Sequence, residues 1–195
     1  MWIILLRDLM SCKYPCIITE LMEVFMLNQK IVSLLTKQVN NEFFSAYLYL
    51  DFSNYYEHKG LKGFANWFRI QAKEELDHGM LMYQYLHNNN ELVELDTIAR
   101  PNKTYEKLES PLQMALAHEC GVTASINEIY RAAEEVKDYR TMQFLDWFVK
   151  EQGEEEANTH ELISKMELFG GDSRALYLLD SDLGSRTYTA PDMTL

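Results

Sequence analysis

Four long stretches of this chain repeat their apolar residues at the three-to-four-residue spacing of an α-helix, and a connection of about 23 residues without that pattern divides them two and two. The first run, from about Asn28 to Glu57, carries Ile31, Leu34, Leu35, Val39, Phe43, Ala46, Tyr47 and Leu50 before His58-Lys59-Gly60 breaks it. The second spans about Leu61 to His87 with Phe64, Trp67, Phe68, Ile70, Leu76, Met80, Met82 and Tyr85, and Asn88-Asn89-Asn90 ends it. So short a link makes these two helices antiparallel neighbours. A helix of about 27 residues is roughly 40 Å long, and the connection between Asn88 and Ser110, interrupted by Pro101, is long enough to run back along it as a crossover. Ser110-Pro111 predicts an N-cap followed by proline at the first helical position, opening a third helix to about Val136. Asp138 caps a fourth that runs to about Phe169, where Gly170-Gly171 stops it, and Asp172 caps a short fifth through Leu183. The chain predicts an all-α four-helix bundle with one long crossover and a short fifth helix over 26–184, followed by a loose tail. Residues 1–25 fit poorly with the helical pattern of the rest of the chain, whereas Met26-Leu27-Asn28 reads as a fresh start with Asn28 as N-cap, so this leader is expected to be an appendage to the fold.

The polar residues inside these helices carry the chemistry. Glu75 and His78 are three residues apart, so they lie on adjacent turns of one helix face and can grip one ion. A single such pair is common on a solvated helix. Here it has company: Glu42 in the first helix, Glu119 in the third, and Gln152 with Glu155 in the fourth. Glu42, Glu75 and Gln152 each fall about fifteen residues into their helices and Glu119 about nine, so all can share one level of the bundle. Two metal ions can then be held, with Glu42, Glu75 and His78 around the first, and Glu119, Glu155 and a bridging Glu75 around the second. Four carboxylates against two divalent cations sum to zero, which removes the cost of burying like charges together. Oxygen ligands plus one imidazole suit iron better than zinc.

The remaining composition is permissive. At 195 residues the chain suits one domain, and 30 acidic against 18 basic residues leave a net charge of −12, which disfavours nucleic acid and anionic membranes and favours cations. Three cysteines, Cys12, Cys16 and Cys120, are too few for a disulfide framework or a four-ligand zinc site, which points to a reducing, cytoplasmic setting. One helix step turns Cys120 away from Glu119, so core packing is its expected role. No apolar run reaches the length of a membrane span, and Trp2 to Leu6 is too short for a secretory signal.

The stretches N-E-F-F-S-A-Y-L-Y (Asn41 to Tyr49), A-K-E-E-L-D-H (Ala72 to His78), H-E-C (His118 to Cys120) and W-F-V-K-E-Q-G-E-E-E (Trp147 to Glu156) resemble the ferritin family, most closely its haem-free prokaryotic members. The resemblance covers about Met26 to Leu183. It implies a ferroxidase that oxidises Fe²⁺ with O₂ or H₂O₂ at a di-iron centre and stores ferric mineral inside a homo-oligomeric shell of 24 subunits. By the same resemblance Tyr49, two turns after Glu42, is the tyrosine beside the centre, and Glu74, Glu151 and Glu154 are carboxylates of a third iron site. Trp147 matches a family tryptophan. The fourth helix departs from the bacterioferritin pattern: it reads Gln152-Gly153-Glu154-Glu155 rather than a second E-x-x-H, so the second ion lacks a histidine. Leu76 stands where bacterioferritins place their haem-binding methionine, so haem is not expected. Gly153 is expected to leave room near the metals, and Glu134, Glu135 and Asp138 to line a channel at a symmetry axis.

Two other functions fit a helical bundle. A rubrerythrin-like di-iron peroxidase would carry paired C-x-x-C motifs, which the sequence lacks. An inert bundle acting only in assembly leaves four matched ligand levels unexplained.

Overall fold

A computed structural model describes residues 26–101 and 104–193; the leader at 1–25, with Cys12 and Cys16, lies outside the described residues. Among the described residues the chain forms five helices: α1 (Gln29–His58), α2 (Lys62–Asn88), α3 (Ser110–Glu135), α4 (Tyr139–Phe169) and α5 (Ser173–Leu183). No helix among them is long and apolar enough to cross a membrane. Pairing follows connection length: α1 packs along α2 and α3 along α4, with α1 also against α3. The crossover lies along α1, where Asn40 Nδ2 donates to the Thr97 carbonyl (3.3 Å), Tyr105 hydrogen-bonds Asp51, and the Tyr56 hydroxyl donates to the Leu108 carbonyl.

Three expected caps are present. The Asn28 side chain accepts from Lys30 N (2.9 Å), Asp138 from Thr141 N (3.1 Å) and Asp172 from Ala175 N (2.8 Å), each satisfying a helix-start amide that has no intrahelical partner. Ser110 is not a cap. It is the first residue of α3, and its hydroxyl accepts from the preceding Lys107 N (3.2 Å) instead, while Glu109 holds the cap position without a side-chain bond. Asp138 is committed to its cap and Glu135 to an ion pair with Lys30 (3.0 Å).

The start of α2 is capped from another helix. Leu61 offers no side-chain acceptor, and Asp180 Oδ1 of α5 accepts from Gly63 N (2.8 Å) and Phe64 N (3.0 Å). A Cβ on Gly63 would sit 1.6 Å from the Asp180 carbonyl oxygen, so only glycine lets α5 dock here.

Apolar side chains form two clusters stacked along the bundle. One gathers Ile31, Leu35 and Val39 with Met82, Leu86, Ile126, Leu145 and Phe148; the other gathers Tyr49, Phe52 and Tyr56 with Phe64, Phe68, Leu112, Leu162 and Leu179. Between them runs a belt of buried polar residues. Four expected core residues, Tyr47, Leu50, Leu76 and Met80, instead lie about half exposed, because a helix this long covers only one stripe with its partners.

The segment after α5 differs from the expected loose tail. Asn66 Nδ2 donates to the Arg186 carbonyl (3.0 Å), the Arg186 guanidinium lies over the Trp67 ring, Tyr188 hydrogen-bonds Asp77, and Trp147 Nε1 donates to Asp192 (3.1 Å). Aromatic and charged side chains spaced along 186–192 find fixed partners on α2 and α4, which holds the segment down.

Candidate metal centre

The polar belt contains every expected ligand of the two-ion centre. Glu42 of α1, Glu75 and His78 of α2, Glu119 of α3, and Gln152 and Glu155 of α4 are each 4% exposed or less. That degree of burial is costly for carboxylates unless something compensates their charge. Two helices approach closely to build the level: at Gly79, beside His78, a Cβ would meet the Phe43 ring at 2.7 Å and Glu42 Cβ at 3.3 Å. Gly153, by contrast, faces open space and makes no room for metals.

Glu42, Glu75 and His78 converge so that one donor atom from each lies within 4.8 Å of the others. His78 Nδ1 is 3.6 Å from Glu75 Oε2. Gln38, one turn before Glu42, donates to its Oε1 (2.8 Å), which leaves Oε2 buried with no donor; Glu75 Oε1 is likewise buried without one. Unpaired buried acceptors cost about 1–3 kcal/mol each, and two of them beside an imidazole are what a cation would satisfy. This donor chemistry, two carboxylates and one imidazole, fits iron.

The other half of the belt is already hydrogen-bonded. Glu119 Oε1 accepts from the Tyr49 hydroxyl, and its Oε2 accepts from Gln152 Nε2 (3.0 Å). Glu155 Oε2 accepts from Gln71 Nε2 (2.6 Å). Tyr49 therefore touches an expected ligand carboxylate directly, while Gln152 stands as its donor.

Burial raises the carboxyl pKa values across the belt. Desolvation, then the neighbouring Glu75 charge, lifts Glu42 to about 8; desolvation and Glu119 lift Glu155 to about 8; desolvation alone dominates at Glu119, about 7. Burial works against the His78 imidazolium, but Glu75, Glu42 and Glu155 together outweigh it and raise its pKa to about 10. Near neutrality the belt holds protons, which a bound cation would displace.

The flanking carboxylates do not converge as a set. Glu151 Oε1 stands 4.0 Å from His78 Nε2, Glu74 is held by Arg186 at 2.8 and 3.1 Å, and Glu154 is exposed and paired with Lys150 at 3.2 Å. Desolvation raises the pKa of both Glu74 and Glu151. Trp147 is half-buried and packs edge-on against His78, with ring centres 5.5 Å apart. His118 Nε2 is 2.7 Å from Ser45 Oγ, and its ring lies against Tyr49. Cys120 is exposed rather than in the core, because the step from Glu119 that turns it from the belt also turns it outward.

Residue 32 to residue 169 matches the sequence profile of the ferritin-like domain. The chain belongs to the ferritin family. This ferritin-family chain is 35% identical, over 82% of its length and 97% of the other, to a probable bacterial non-heme ferritin-like protein of Haemophilus influenzae. It is 35% identical to a bacterial non-heme ferritin of Staphylococcus aureus, over 84% of its own length and 98% of that protein's. Its fold superposes on an open-pore ferritin from the hyperthermophilic archaeon Archaeoglobus fulgidus with a TM-score of 0.80 at 38% identity, covering 83% of this chain and 98% of the other.

Sequence reasoning passed over Gln38, Gln71 and Gly79. Gln38 carried a signal, standing four residues before Glu42 on one helix, where a side chain reaches the next turn, whereas the partner of Gln71 is Glu155 on another helix. Gly79 and the Arg186 contact carried none, since both depend on which helix lies opposite.

Proposed function

We propose that this ferritin-family protein stores iron, oxidising Fe²⁺ at the buried belt and depositing Fe³⁺ inside a hollow homo-oligomeric shell of 24 subunits in the cytoplasm. The observation that carries the reading is the convergence of Glu42, Glu75 and His78 with two carboxylate oxygens lacking any donor. Fe²⁺ is the substrate. Glu42, Glu75 and His78 hold the first ion, and Glu119, Glu155 and a bridging Glu75 the second, their four negative charges matching two divalent cations. Two ions give up two electrons, enough to reduce O₂ with two protons to H₂O₂, or H₂O₂ with two protons to two waters. The two apolar clusters on either side keep bulk water from the ligands, and the Tyr49 hydroxyl supplies a proton or an electron, a role its bond to Glu119 supports. Glu151, with Glu74 and Glu154 once these leave Arg186 and Lys150, serves iron on its way from the pair to the mineral. Exposed apolar side chains on the outer faces, Tyr47, Leu50, Leu76 and Met80, with Leu92, Leu95 and Ile98 of the crossover, support burial against further subunits.

The test is aerobic loading of the purified protein with Fe²⁺, followed by sizing and iron analysis. A large shell retaining far more than two irons per subunit is expected. At most two irons per subunit would instead make the protein a di-iron redox enzyme.

A further inference from the structure

The chain does not leave the bundle after α5. Residues 185–193 turn back over α2, and Arg186 lies where they cross it. Its guanidinium sits 5.0 Å from the centre of the Trp67 ring, Nη1 donates to the Trp67 carbonyl (3.4 Å), and Nη2 reaches both oxygens of Glu74 at 2.8 and 3.1 Å. The two side chains are only 25% and 17% exposed, so this charge-assisted pair is partly withdrawn from water, which strengthens it. Farther on, Tyr188 hydrogen-bonds Asp77, Lys73 stands over the Tyr188 ring, and Asp192 accepts from Trp147, whose ring packs on His78. The segment thus runs from Trp67 to Trp147 across the side of the centre where Glu151 stands 4.0 Å from His78.

We propose that Arg186 is a built-in competitor for cations: it occupies the Glu74 carboxylate and so determines whether this flank of the centre accepts a further ion. A divalent cation that uses Glu74 must first displace a guanidinium that neutralises its charge and ties its oxygens. Glu151 then lacks Glu74, the flanking carboxylate of α2 that feels its charge, as a partner with which to hold an ion. This deepens the metal-centre reading and rests on it.

Zn²⁺, which has no redox chemistry, separates the outcomes by calorimetric titration of the full-length assembled protein. Arg186→Gln removes the charge and keeps a polar side chain. It is expected to bind one more Zn²⁺ per subunit than wild type, or to bind its weakest ion roughly tenfold more tightly. Arg186→Lys should fall between the two, because an ammonium lacks the planar fork. Adding Glu74→Gln to Arg186→Gln should abolish the gain. Equal stoichiometry and affinity in wild type and Arg186→Gln overturns the proposal. So does a gain that survives Glu74→Gln, which would leave the segment a steric cover only. Absence of Zn²⁺ binding from wild type as well as the variants overturns the metal-centre reading itself, and the competitor with it.

Discussion

The two halves of the buried belt use the same residue types to opposite local ends. On the α1–α2 side, Glu42 and Glu75 each keep one buried oxygen with no donor, and the two carboxylates converge with an imidazole. On the α3–α4 side, both oxygens of Glu119 are occupied by Tyr49 and Gln152, and Glu155 is held by Gln71. A cation entering the first half gains ligands that had nothing else to bond. One entering the second must exchange existing hydrogen bonds for its own, and it finds no histidine. Preorganisation therefore belongs to the first half, and adaptability to the second, which suits the proposed passage of iron through the site.

The comparison breaks first at Glu75, the residue proposed to serve both halves. Glu75→Ala leaves two divalent charges facing three carboxylates, and the rate of Fe²⁺ oxidation at two ions per subunit is expected to fall at least about a hundredfold by stopped-flow absorbance. An unchanged rate would show that the halves do not share a ligand.

Proton competition sharpens the contrast. His78 at about 10 with Glu42 at about 8 hold protons to higher pH than Glu155 at about 8 with Glu119 at about 7. Cation binding to the first half should therefore release more protons, with affinity rising up to about tenfold per pH unit for each proton displaced, between pH 6 and 8. The same groups set the stability of the metal-free protein. Their folded pKa values lie above their unfolded ones, so the folded state binds more protons. Its stability is full below about pH 4.5 for the carboxyls and 6.5 for His78, and is lost as pH rises toward 8 and 10. Melting of the metal-free protein should fall from pH 6 to pH 9, and added Zn²⁺ should restore most of the loss at the higher pH. A rising melting temperature over that range would contradict the assignment.

His78→Ala separates the halves at one residue. The tighter of two bound cations should weaken about tenfold or more, and the other should change little, by calorimetry with Zn²⁺. Equal loss at both would mean that the imidazole serves the pair as a unit.

The smallest expected effect tests whether α4 beside Gln152 is spatially constrained. Gly153→Ala adds a methyl group into open space on a helix, so it should stabilise by about 1 kcal/mol, raise the melting temperature by about 2–4 °C, and leave Zn²⁺ affinity unchanged. A loss of affinity would show that Gly153 serves the site after all.

Much of this molecule could be read directly from residue order. Helical period and caps at Asn28, Asp138 and Asp172 depend on residues within a turn or two, so the sequence by itself determined the bundle, its crossover, the short fifth helix and the level at which the six expected ligands meet. The i, i+3 pair Glu75 and His78 was legible for the same reason. What only the tertiary structure decided lies between elements far apart in sequence. Asp180 caps α2 across 117 residues, Gln71 holds Glu155 across 84, and Arg186 holds Glu74 across 112. A side chain's spacing along its own helix fixes its face, but which donor stands opposite, and hence which carboxylate oxygens remain free for a cation, is set by the neighbouring helix and by the segment laid over it.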